Sequence, residues 1–105
     1  MKDIHLTIGH NVNGRPTHTT RAVCAAAARI LEVEGFTAVP CLGMWRGEAE
    51  DSTRLEICGL DDEAARAVWA RVPLLAAALD QVEVMAEAVP SRIRFIGADA
   101  GARTA

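Results

Sequence analysis

Three histidines, three cysteines and fourteen carboxylates are the groups in this chain that could do chemistry. Their spacing matches no familiar site. The cysteines, Cys24, Cys41 and Cys58, are odd in number and lack a CxxC pair, which argues against a zinc ribbon or a disulfide framework. That usage fits a reducing, cytoplasmic setting. No P-loop, GxGxxG or Ser/His/Asp arrangement occurs, and residues 9–14 lack the glycine spacing of a phosphate loop. Two looser constellations remain. His10, Arg15 and His18 would approach Glu48, Glu50 and Asp51 if two loops share one end of a sheet, a grouping suited to acid–base work or a small ligand. His5, Glu56, Cys58 and Glu87 would share a sheet face, and such a set can hold a metal. Neither carries a recognised metal signature. The chain is therefore expected to need no metal or cofactor and to have no catalytic residue.

The elements that would position these groups follow from periodicity. Residues 3–10 alternate, with Ile4, Leu6 and Ile8 on one face, as in a half-buried strand. Asn13-Gly14 marks a turn, and Thr17, Thr19 or Thr20 can cap the next helix. Val23, Ala26, Ala27, Ile30 and Val33 form an apolar stripe at helical spacing, which predicts a helix to Glu34 closed by Gly35.

Residues 36–59 form the centre of the design. Two β-rich runs flank a polar loop from Arg46 to Ser52, the pattern of a long-looped hairpin. A turn symmetric about Ala49 and Glu50 would set Cys41 opposite Cys58 and Trp45 opposite Arg54. Pro40 cannot donate a ladder hydrogen bond, so its strand belongs at an edge. Asp61, Asp62 and Glu63 open a second helix, which Pro73 should break or kink. Residues 82–89 alternate as a fourth strand, and 92–96 could add a short fifth.

This order predicts an α+β, ferredoxin-like βαββαβ domain over residues 1–97, with residues 98–105 as a flexible tail. Its four-stranded antiparallel sheet carries two helices on one face and runs fourth–first–third–second. At 105 residues, half of them hydrophobic and 24% charged, the chain suits one globular core.

Charge is uneven. Residues 36–63 hold two basic and seven acidic side chains, net −5, within a chain of net −3. The absence of a basic patch argues against direct nucleic-acid binding, and no run is apolar enough for a membrane span. An acidic hairpin beside a tryptophan suits a protein partner with a basic surface. The partner-binding set is then Trp45, Arg46, Glu48, Glu50, Asp51, Arg54 and Glu56. A homodimer through the open sheet face is the structural alternative.

The run from Gly43 to Glu48, then Glu50, then Ser52 to Ile57, resembles small phage and mobile-element proteins of unknown function. That resemblance implies a ferredoxin-like layout. It also implies a non-enzymatic binding protein acting on a host defence system, in the manner of anti-CRISPR inhibitors.

Overall fold

The computed structural model describes residues 1–98. Strand β1 (Lys2–Gly9) leads through a small hairpin, β2 (Asn11–Val12) and β3 (Arg15–Pro16), into helix α1 (Thr20–Ile30). Strands β4 (Thr37–Trp45) and β5 (Glu48–Leu60) follow as a hairpin, then helix α2 (Asp62–Ala78) and strand β6 (Met85–Pro90). The main sheet runs β4-β5-β1-β6, all antiparallel. This is the expected ferredoxin-like α+β arrangement, with Pro40 on an edge strand.

Alternation on β1 positions the core. Ile4, Leu6 and Ile8 are fully buried with Leu55 and Ile57 of β5. Val23, Ala26 and Ala27 of α1 and Ala65, Val68 and Leu75 of α2 close over them. Thr19 caps α1 by accepting the Ala22 N–H, and Asp61 caps α2 by accepting the Ala64 N–H.

Several boundaries depart from the sequence expectation. Helix α1 ends at Ile30, and the left-handed residue after it is Glu32 at φ 54°, in place of Gly35. An ion pair from Arg71 on α2 to Glu32, at 2.9 Å, holds that turn against the second helix. Pro73 does not break α2. The helix continues to Ala78 because Leu75 and Leu79 beyond the proline are buried. Burying two leucines is worth roughly 3–6 kcal/mol, which offsets the ~3 kcal/mol cost of an interior proline.

The hairpin turn is only Arg46-Gly47, both at positive φ, so the two-residue type I′ geometry replaces the expected long loop. Trp45 therefore faces Glu48, and Cys41 faces Ser52. Strand β6 starts at Met85 because the chain needs residues 80–84 to cross from the helix layer to the sheet, leaving Val82 fully exposed. Residues 92–96 form no fifth strand. The chain instead carries Phe95 across to Gly59 of β5. All but the first residue of the expected tail lies outside the described residues. No helix among them is long and apolar enough to cross a membrane.

Candidate functional site

Two features of β5 define the site. Opposite β1 the register slips between Lys2 and Ile4, so Cys58 and Gly59 form a bulge. Gly59 adopts φ 71°, and the buried carboxylate of Asp3 accepts its N–H at 2.9 Å. The Phe95 ring lies against Gly59, where an added Cβ would come within 3.0 Å of it. Opposite β4, the last pair is Thr37 with Glu56, so Ile57–Leu60 have no partner on that side. A cavity of about 770 Å³ opens in this gap, lined among others by Phe36, Glu56, Cys58, Asp61, Arg71 and Phe95.

The surroundings are negative. The Cys58 thiol is pushed up from its ordinary value by burial first, then by the charges of Asp3 and Glu56. The same field that opposes a thiolate favours a cation. Among the described residues no basic side chain pairs with Glu56.

Next to Glu56 along β5, Arg54 joins a charged network on the open face. His5 sits across from Glu56 on one side and Glu87 on the other. Its Nδ1 is 2.9 Å from Glu87 Oε1 and 3.0 Å from Arg54 Nη2, with Arg54 3.8 Å from Glu87. Of the expected set His5, Glu56, Cys58 and Glu87, the two carboxylates and His5 are brought together across β5, β1 and β6, whereas Cys58 sits at the bulge beside the cavity. Arg54 stands among them, and no metal-holding cluster occurs among the described residues.

The other constellation serves the fold. His10 is buried, and its Nε2 meets Thr53 Oγ1 at 2.7 Å; Thr53 in turn meets Thr20 Oγ1 at 2.9 Å. His18 Nε2 donates to the Leu79 carbonyl at 2.7 Å. Both histidines line a hollow of about 180 Å³ with Glu50 and Asp51, but the Nε2 of each is bonded elsewhere. Arg15 lies exposed on β3.

The seven residues expected to bind a partner fall in three places. Trp45, Arg46 and Glu48 form the exposed hairpin tip, where Arg46 stacks on Trp45 with 5.6 Å from guanidinium carbon to ring centroid. Arg54 was the expected stacking partner, and the two-residue turn removes it. Glu50 turns inward to the Asn11 N–H at 2.9 Å, and Asp51 stays exposed beside it. Arg54 and Glu56 belong to the open face. Cys41 and Cys58 lie far out of register and all three cysteines are free. Asp3, Gly59 and Phe95 escaped the sequence reading. A glycine inside a strand pattern was the one signal for the bulge.

The fold and this face define a ferredoxin-like α+β domain with a cavity at one sheet edge and a charged open face. Among solved structures, a phage SAM lyase in the apo state superposes with a TM-score of 0.70 at 24% identity, covering 84% of this chain and 78% of that one. A phage SAM lyase in complex with S-methyl-5′-thioadenosine gives 0.57 at 24% identity, over 84% and 79%. A DUF3240 family protein from Shewanella baltica OS155 gives 0.62 at 11% identity, over 92% and 97%. No protein-family model matches the chain, and no curated protein matches it in sequence.

These likenesses correct the expectation of a non-enzymatic module, because the neighbours sharing the fold include an enzyme. Two of these neighbours are phage proteins that share the expected fold, and none of the three gives support to an anti-CRISPR or other inhibitory role.

Proposed function

We propose that this domain binds S-adenosylmethionine in the cavity at the β5 bulge and cleaves it to S-methyl-5′-thioadenosine. The observation that carries the reading is the cavity itself. Its volume, about 770 Å³, lies in the range of small-molecule sites. Phe36 and Phe95 offer aromatic surface to a nucleoside, and the unpaired carboxylate of Glu56 suits a sulfonium cation. The likeness to SAM lyases in fold supports the choice of this cation over others.

The chemistry asks little of the protein. The bond broken joins sulfur to the aminobutyryl chain, and its electron pair stays on sulfur, which becomes a neutral thioether. As that bond breaks, the four-carbon fragment either gives up a neighbouring proton to a base and becomes an alkene, or is attacked by its own carboxylate at the carbon that sulfur leaves and closes to a lactone. Either route balances without a co-substrate and releases the same thioether. Holding the flexible chain in one conformation beside Glu56 is then the main contribution of the site.

Incubation of the purified protein with S-adenosylmethionine should yield S-methyl-5′-thioadenosine by chromatography. Absence of both product and calorimetric binding of either compound at millimolar concentration would overturn the proposal.

The hairpin arm supports a separate reading. Residues Glu48–Glu50 of β5 have ladder partners on β4 alone, so the tip of the hairpin projects past β1. Leu42, Met44 and Trp45 on this arm are 65%, 65% and 64% exposed. Apolar and aromatic side chains beside Glu48 and Asp51 suit a protein surface with basic charge, with a second copy of the chain as the alternative occupant.

A further inference from the structure

Resting on that reading, we infer that Arg54 and Glu87 on the open sheet face hold the amino-acid end of the substrate, as a zwitterion site positioned by His5. One ring nitrogen of His5 cannot serve both of its charged neighbours at once. His5 Nδ1 lies within hydrogen-bond reach of both Glu87 Oε1 and Arg54 Nη2, at 2.9 and 3.0 Å. A ring nitrogen carrying a proton donates to Glu87 and offers Arg54 nothing. A ring nitrogen carrying a lone pair accepts from Arg54 and offers Glu87 nothing. In each state one charged group loses its bond to the ring, and Arg54 and Glu87 then meet only across a 3.8 Å contact, too long for a hydrogen bond. A bound α-amino acid supplies both needs, its carboxylate to the guanidinium and its ammonium to Glu87.

Exposure divides the roles in the same way. The His5 side chain is only 15% exposed, whereas Arg54 and Glu87 are 38% and 55% exposed. The two charged ends reach solvent and the histidine lies beneath them, so His5 is a positioning residue. Thr7 and Met85 complete the face at the next register position and bring no competing charge.

The site also lies at a suitable distance from the cavity. Arg54 and Glu56 are two residues apart on one face of β5, roughly 7 Å along the strand. A nucleoside in the cavity with its sulfonium beside Glu56 would direct its four-carbon chain along the strand towards Arg54. The second carboxylate, Glu56, then serves the sulfonium while Glu87 serves the ammonium.

Calorimetric titration with three probes separates this inference from the reading beneath it. The probes are S-adenosylmethionine, its decarboxylated form and S-methyl-5′-thioadenosine. The parent protein should prefer S-adenosylmethionine to the decarboxylated form by tenfold or more. Arg54→Gln should abolish that preference and leave binding of S-methyl-5′-thioadenosine within about twofold. Arg54→Lys, which keeps charge and loses the planar fork, should fall between them. If the thioether binds the parent while Arg54→Gln leaves the preference intact, or weakens all three probes equally, the zwitterion site is wrong and the cavity assignment stands. If the parent binds none of the probes, both fall.

Discussion

The carboxylate of Glu50 lies over Gly9, in the space that a side chain at residue 9 would fill, and from there accepts the Asn11 N–H at 2.9 Å. A residue read from its charge as part of a solvated, partner-seeking loop is thus an internal clasp. It ties the base of the hairpin arm to the turn that follows β1.

Gly9→Ala should push Glu50 off Asn11 and destabilise the fold by about 1 kcal/mol, the typical value of one such hydrogen bond. In a Glu50→Ala background the same change should cost nothing, since the space is then empty. Urea unfolding of the four proteins measures the coupling, and additive effects would show that the two residues act independently.

Thr53 joins His10 to Thr20 through one buried hydroxyl. Thr53→Val keeps the shape and strands the buried ring nitrogen of His10. A loss of about 1–3 kcal/mol in thermal or chemical unfolding is expected. An unchanged midpoint would mean that water replaces the hydroxyl without cost.

Cys58 should react slowly with iodoacetamide under mildly alkaline conditions, more slowly than Cys24 or Cys41. Its raised titration reflects burial first and the charges of Asp3 and Glu56 next. For an acid whose folded value is raised, the fold favours the protonated form. The associated stability is therefore present below the unfolded thiol's value and is lost as pH rises through the folded one. Glu56→Gln removes one of the opposing charges and should speed the reaction. Mass spectrometry of partly alkylated protein gives the order, and Cys58 reacting first would contradict it.

Glu56→Gln should also weaken S-adenosylmethionine binding by tenfold or more and spare the uncharged S-methyl-5′-thioadenosine. A carboxylate that contacts a cation discriminates by charge, whereas one that merely shapes the cavity does not. Equal weakening of both compounds would assign Glu56 a structural role.

Trp45→Ala tests the hairpin arm. It should leave the thermal midpoint nearly unchanged, because the indole is mostly exposed. If the arm docks on a protein surface, the variant should weaken that contact by about 1–4 kcal/mol. Solution mass of parent and variant decides whether a second copy is the occupant.

Much of the architecture was legible in the residues alone. Ile4, Leu6 and Ile8 announce β1, the Val23–Ala27 stripe announces α1, and Pro40 assigns β4 to an edge, because each signal depends on local periodicity or on one missing N–H. Alternation alone places Glu56 on a face with His5, Cys58 and Glu87, and its charge also suits it to the partner-binding set. What tertiary structure decided was register and neighbourhood. The two-residue turn at Arg46-Gly47 shifted every pair of the hairpin, which separated Trp45 from Arg54 and Cys41 from Cys58. Burial of Leu75 and Leu79 carried α2 through Pro73. The cavity exists only because β4 stops at Thr37 while β5 runs on to Leu60, and its rim is completed by Phe95 from a segment distant in sequence. Periodicity reports which face a side chain takes. It carries no record of where one strand ends against another, and that mismatch in length is what made the site.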